Sequence, residues 1–219
     1  MESQDVAQYL KEHADFFELH PELLGQLAVP HPQNGQAISL VERQSLVLRD
    51  RIRALETRLA ELIRNGEDND AVADRLVKWG AALLRQGEAD ELPRLMLAEL
   101  KRLFDVPLAA VRVWGVRPEF AALDAAQPVG ADVLRLAAGM QAPFCGSNMG
   151  FEVARWLTAD DSGVASLAIL PLRLATDQET YGLLVLGSPD RDRFQITMGT
   201  SFLARIGALA SAAMARLRP

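Results

Sequence analysis

Apolar and polar positions change their period three times along this chain. Val6, Tyr9, Leu10, His13, Phe16 and Phe17 recur at helical spacing, and Pro21-Glu22-Leu23-Leu24 restarts the pattern after His20. Residues 1–30 therefore read as one or two short helices. Their apolar face is too small to bury much by itself and needs another surface, either a second chain or another protein. Val29-Pro30-His31-Pro32-Gln33-Asn34-Gly35 then places two prolines and an Asn-Gly pair in one short stretch, which predicts a loop and a first boundary.

From Ile38 the apolar spacing alternates three and four. Ile38, Ser45, Ile52 and Leu59 fall at a positions, and Val41, Leu48, Leu55 and Leu62 at d positions, of a heptad. β-branched residues at a and mostly Leu at d favour a parallel two-stranded coil. Arg51 at g would face Glu56 at e of the second chain, whereas Gln44 opposite Arg49 is neutral, and Ser45 weakens one layer. The competing reading is one amphipathic helix lying on its own globular domain, for which Leu46, Val47 and Ile63 broaden the apolar face. The expectation is a homodimer through Ile38, Val41, Leu48, Ile52, Leu55, Leu59 and Leu62.

Asn65-Gly66-Glu67-Asp68-Asn69-Asp70 predicts a short hinge, with a glycine ending one helix and Asn or Asp capping the next. Val72, Leu76, Trp79 and Leu83 mark a helix at about 70–86, and Asp90-Glu91-Leu92-Pro93 opens another that runs to Phe104. Then the period shortens. Residues 106–114 (VPLAAVRVW), 166–174 (SLAILPLRL) and 181–188 (YGLLVLGS) have strand length and composition, the last two forming a hairpin. Pro171 removes a ladder donor, which fits an edge or a bulge. Helical turns are expected at 131–140 and 152–157, a short strand at 144–148, and a closing helix from about 193 to 217. The fold class is α+β, in three parts: an acidic N-terminal helical segment 1–37, a coiled-coil helix 38–64 and a mixed domain 65–219.

Composition narrows the function. With 219 residues and 49% apolar content, the chain can fill one ordinary domain plus an extension. Its longest apolar runs fall well short of the ~18 residues that a membrane helix needs. Glu2 and Asp5 at the start do not resemble a secretory signal, and a lone cysteine, Cys145, suits a reducing compartment. The expected location is the cytoplasm. The net charge is −6, and residues 1–37 hold six acids against Lys11 alone. No basic stripe is available to displace counterions from phosphates, so direct nucleic-acid binding is not expected.

All three histidines, His13, His20 and His31, precede the coil. The domain beyond them therefore lacks the imidazole needed for Ser-His-Asp or Cys-His catalysis and for histidine zinc sites. Lys11, Lys78 and Lys101 are the only lysines, and no P-loop or dinucleotide fingerprint occurs. Gly146-Ser147-Asn148-Met149-Gly150 has the composition of a phosphate loop without its lysine, so a plain turn is the simpler reading. Cys145 has neither a resolving cysteine nor an activating histidine. Asp160-Asp161, Asp190 and Asp192 read as solvated turns before they read as cation ligands. No metal site is predicted, and the sequence identifies no particular cofactor.

The order of two helices, strand VPLAAVRVW, a variable middle, strand SLAILPLRL, strand YGLLVLGSPDRDRF and a closing helix resembles the GAF fold over residues 70–218. With the leader YLKEHADFFELHPELLGQLAVPHP and the segment ISLVERQSLVLRDRIRALETRL, the whole chain is similar to the bacterial domain-of-unknown-function family 484. The resemblance implies an antiparallel sheet flanked by helices, with a small-molecule pocket between the sheet and the variable segment. Trp114, Phe144, Cys145, Phe151, Arg155 and Trp156 would wall it, with Arg155 or Arg135 available to an anion. No histidine follows the cysteine as in chromophore-binding members, and the several cysteines of the methionine-sulfoxide-reducing members are missing. The implied function is that of a non-catalytic dimeric sensor or adaptor whose acidic leader contacts a protein effector. The alternatives are a ligand-free dimeric scaffold, betrayed by a pocket filled with its own aromatic residues, and an enzyme using Asp124, Asp132 or Glu152.

Overall fold

The computed structural model describes residues 3–26, 28–30, 37–158, 163–174, 179–195 and 201–219, with only the backbone described within 24–42. The chain forms two compact units, Met1–Asn69 and Asp70–Pro219.

The first unit opens with α1 (Ser3–Glu12), α2 (Phe16–Leu19) and α3 (Pro21–Gln26). Neither α1 nor α2 buries a residue, because ten- and four-residue helices have little area to enclose. Their aromatic groups stack on one another instead. The Tyr9 and His13 rings are stacked at 4.2 Å, and Phe16 meets Tyr9, Phe17 and His20 at 5.1–6.2 Å.

Two short strands follow, one taking in Val29 and Pro30 of the expected loop and the other Ile38, the expected first coil residue. β1 (Ala28–Pro30) pairs antiparallel with β2 (Ala37–Ser39), Val29 opposite Ile38. Ile38 thus belongs to a strand and not to the coil. A β-branched residue such as Ile38 accepts the extended backbone readily. Residues 31–36, including His31 and most of the expected loop, lie outside the described residues.

α4 (Leu40–Arg85) is one continuous helix, which corrects the hinge expected at 65–70. A single glycine in a helix interior costs about 1 kcal/mol, too little to stop propagation through favourable neighbours. Asn69 and Asp70 have no free helix start to cap once the helix runs through them. A Cβ placed on Gly66 would meet nothing within 4 Å, so no packing demands a break there.

The second unit is built on a four-stranded antiparallel sheet in the order β3-β6-β5-β4, from β3 (Leu108–Val113), β4 (Phe144–Ser147), β5 (Ser166–Leu172) and β6 (Gly182–Ser188). The expected hairpin is present, with Ile169 opposite Val185. β5 is an interior strand, yet β4 pairs only with residues 166–169, so Pro171 lies beyond its end. That is where a missing N–H costs least.

One face of the sheet packs on the C-terminal part of α4 (Leu76, Trp79, Leu83), on α5 (Leu92–Phe104) and on α7 (Ser201–Met214). Trp79 is fully buried, and its indole N–H donates to the Met96 carbonyl at 3.2 Å, satisfying a polar group that burial would otherwise penalise. α5 ends at Asp105, which adopts a left-handed φ of 53°. Arg193 donates to the carbonyls of Phe104 and Asp105 at 2.8 and 3.0 Å, partners for groups that a helix end leaves bare. The closing helix, expected from about residue 193, does not include 193–195, which are not helical; α7 spans Ser201–Met214 and is followed by a 3-10 turn, Ala215–Leu217.

Candidate functional site

The other face of the sheet is the one on which the fold resemblance puts a ligand pocket. Strand alternation brings Arg112, Leu183 and Pro171 into one row there, and Ala110, Val185, Ile169 and Phe144 into the next. α6 (Ala131–Gly139) and the 3-10 turn Glu152–Trp156 cover this face. Leu167, Ile169, Leu183 and Val185 are fully buried under them, against Val133, Ala137, Val153 and Ala154. Leu157 fills the space above Gly187, where an added Cβ would collide with its Cδ1 and lie 3.3 Å from Val164. The protein's own side chains occupy this surface.

Trp114, Phe144, Phe151 and Trp156 do gather on this face. The rings of Phe144 and Phe151 pack at 5.3 Å, and the Trp114 indole donates to the Thr180 carbonyl at 3.1 Å. Cys145 is not with them. As the neighbour of Phe144 on a strand, it points to the opposite face, buried with Ala168 and the first core, because alternate residues of a strand face opposite sides. Arg135 is exposed and ion-paired with Asp132 one helical turn away, and Arg155 is exposed. Neither points its charge into a closed site.

Arg112 joins the site without having been among the expected residues. Its side chain is 14% exposed, its guanidinium lies 5.7 Å above the Trp156 ring, and it pairs at 3.0 Å with Asp124. A lone charge inside the apolar run VPLAAVRVW is the available signal, since alternation separates it from Val111 and Val113.

A cavity of about 320 Å³ opens between α6 and residues 150–153, lined by Asp132, Val133, Leu136, Phe151, Glu152 and Val153. Two of the carboxylates considered from sequence therefore share a cavity. Both are exposed, and the charged partner of Asp132 is Arg135, not the second acid. The Glu152 carboxylate lies over Gly130 at the start of α6, 2.6 Å from where a Cβ would stand. It occupies the helix end that favours negative charge. Asp124 is apart from both, on Arg112.

Two groups in the core of the second unit have shifted ionisation. Burial pushes the Cys145 thiol up, which disfavours the reactive thiolate. Burial pushes the Tyr181 phenol up to about 12, against the opposing effects of its Ser211 hydrogen bond and of Arg218.

The glycine-rich loop after Cys145 is a turn organised by Asn148. Its Oδ1 accepts the N–H groups of Gly150 and Phe151 at 3.0 and 3.4 Å, and its Nδ2 donates to the Val164 carbonyl at 3.1 Å. Asp190 organises the turn after β6, accepting the Asp192 N–H at 2.9 Å. Asp160 and Asp161 lie outside the described residues. Among the described residues no group of His, Cys, Asp or Glu is arranged to hold a metal ion, and no helix is long and apolar enough to cross a membrane.

A family model described as "Protein of unknown function, DUF484" matches residues 1–217. The uncharacterized protein YigA of Salmonella typhimurium is 28% identical over 92 residues, 42% of this chain. The matched region spans 39% of that relative's length. Among solved structures, the GAF domain of a phosphoenolpyruvate-protein phosphotransferase from Coxiella burnetii superposes with a TM-score of 0.50 at 9% identity, covering 66% of this chain and 93% of that one. Free methionine-R-sulfoxide reductase from Neisseria meningitidis gives 0.47 at 14% identity, covering 65% and 87%. The GAF domain of the potassium sensor histidine kinase KdpD from Escherichia coli gives 0.42 at 17% identity, covering 66% and 94%. At these identities the likeness concerns the fold alone, and the second unit has the GAF fold.

Proposed function

The chain belongs to the DUF484 family, and from that premise we propose that it is a non-catalytic regulatory scaffold of the cytoplasm, a homodimer joined by the first part of α4. Its GAF-fold unit offers a surface to protein partners in place of a small-molecule pocket. The observation that carries this reading is the self-filled second face: Leu167, Ile169, Leu183 and Val185 are fully buried by the protein's own residues. A ligand there would have to displace close-packed side chains, which interiors resist. The dimer rests on Leu48, Ile52, Leu55, Leu59 and Leu62, each more than half exposed in the single chain and regularly spaced. A stripe of this length is ordinarily covered by a second helix.

The exposed leader supplies a docking surface for an effector. Val6 and Tyr9 are 39% and 47% exposed, and the six acids around them favour a basic partner. Catalysis is disfavoured by the lack of histidine in residues 32–219 and by the pairing of Asp132 and Asp124 with arginines.

The second reading is a small-molecule sensor, favoured by the 320 Å³ cavity beside α6. That volume lies at the lower end of ligand sites, which span about 300–1,000 Å³. Native mass spectrometry of the protein purified without added ligand separates the two. The scaffold reading expects two bare chains, whereas a constant small mass on each dimer overturns it in favour of the sensor.

A further inference from the structure

A groove of about 630 Å³ runs along α7 in the second unit, between that helix, the end of β5 and residues 141–143. Its helical wall consists of Ala204, Ala208 and Ala212, which are exposed, with Gly207 and Ser211 buried beside them. These positions are three or four apart and share one side of the helix, over a length of about 12 Å, or two turns. None has a side chain larger than that of serine, so a second helix can approach at the close end of the usual separation of about 8–10 Å. The opposite wall is the part of β5 beyond the reach of β4. The Asn148 N–H donates to the Ala165 carbonyl at 3.0 Å, and the alternation this sets turns the backbone groups of residues 167, 169, 171 and 173 toward the β4 side. Pro171 has no N–H, and the Arg173 N–H already donates to Ser211 Oγ at 3.1 Å. An added strand would find no free N–H on residues 171–173, whereas a helix satisfies its own backbone.

We propose that this groove holds an acidic amphipathic helix of a partner protein. The inference rests on the scaffold reading above and gives its GAF-fold unit a partner of stated chemistry. Charge selects that partner. The walls belong to the stretches 133–151, 163–174 and 193–219, which contain no aspartate or glutamate but carry Arg135, Arg173, Arg193, Arg205, Arg216 and Arg218, in a chain whose net charge is −6. Arg173 lines the groove itself. Its guanidinium donates to the Met140 carbonyl and, at 3.3 Å, to Gln141 Oε1, both neutral acceptors. Arg205 is exposed seven residues before Ala212 and so stands on the same side of α7. Glutamates on the flanks of an incoming helix would meet these two arginines while its apolar side closes on the alanines.

Fluorescence anisotropy of labelled alanine-based peptides, each of about 18 residues and so long enough to hold a helix, tests this on the full-length chain. One peptide carries leucine on one side and glutamate on the other, and its counterpart has lysine in place of glutamate. Ala208→Gln fills the groove without changing its charge, and Arg205→Glu reverses a charge without filling it. Ala98→Gln, at an exposed position of α5, is the control. All three positions are exposed, and thermal unfolding checks that the variants stay folded. The glutamate peptide should bind; A208Q should weaken it about tenfold and R205E about threefold at low salt, and A98Q should leave it unchanged. A208Q should not affect the lysine peptide. Full affinity in A208Q, or equal weakening of the lysine peptide, overturns the inference. So does the absence of glutamate-peptide binding at about 1 mM, and bare chains in the native mass spectrum would then leave the scaffold reading standing with its partners on another surface. A small bound mass that A208Q removes would overturn both readings by placing a small molecule in the groove. A lower mass of A208Q in light scattering would overturn this inference by giving the groove to a second copy.

Discussion

The Tyr181 hydroxyl donates to the Ser211 carbonyl, tying the start of β6 to α7, while the Arg218 guanidinium lies 4.7 Å above the Tyr181 ring. Ser211 is bound in turn: its hydroxyl donates to the Gly207 carbonyl at 2.6 Å and accepts the Arg173 N–H at 3.1 Å. Tyr181 is 1% exposed, and burial pushes the pKa of its phenol up to about 12. A folded value above the unfolded one, near 10, means that folding favours the neutral phenol. Its contribution is complete below about pH 10 and is lost as the pH rises through about 12. The expected loss is about 2–3 kcal/mol. Urea unfolding from pH 8 to 12 should show the decline, and Tyr181→Phe should lower stability by about 1 kcal/mol at pH 8 and flatten the alkaline decline. An equally steep decline in the variant would assign the effect to other groups.

Gly187 and Leu157 test the filled face. Gly187→Ala should destabilise by about 1–3 kcal/mol, the usual cost of overpacking, because the new methyl meets Leu157. Leu157→Ala should cost about 2–5 kcal/mol by opening a cavity. The double variant should be more stable than the sum of the two losses predicts, and strict additivity in thermal unfolding would show that the two sites do not touch.

Cys145 should behave as a packed thiol. It is 5% exposed and its ionisation is disfavoured by burial. A thiol reagent should label it slowly in the native protein at pH 8 and rapidly in guanidinium chloride. Fast native labelling would mean that the sheet opens at β4, the strand with the fewest paired residues in that sheet.

For the proposed coiled-coil dimer, replacing Ile52 and Leu55 with Asp would place four carboxylates in two adjacent layers. Light scattering should report two chains for the unsubstituted protein and a single chain for the double variant at the same concentration. An unchanged mass would locate the interface elsewhere.

Much of the architecture is legible in the sequence. The continuous apolar run of β6 announces a strand buried on both faces, and it is fully enclosed. Of the apolar positions Leu95, Met96, Leu100 and Leu103 that lead to Phe104, Met96 and Leu100 are buried with Phe104 on the inner side of α5, while Leu95 and Leu103 are half-buried. The candidate site is less legible. Trp114, Phe144, Phe151 and Trp156 do share one face, but Cys145 is near them only in sequence, since its strand turns it away. Arg112 escapes a local reading because its partners, Asp124 and Trp156, lie 12 and 44 positions away.

The sequence by itself determined the main helices and strands of the second unit, their order and the lack of histidine beyond the leader, because period and composition are properties of neighbouring residues. Only the tertiary structure decided that α4 runs through Gly66, that Ile38 joins a strand, and that Leu157 closes over Gly187. Each of these depends on energies summed over many residues or on groups distant along the chain, and no local pattern records which side chain will fill a given space.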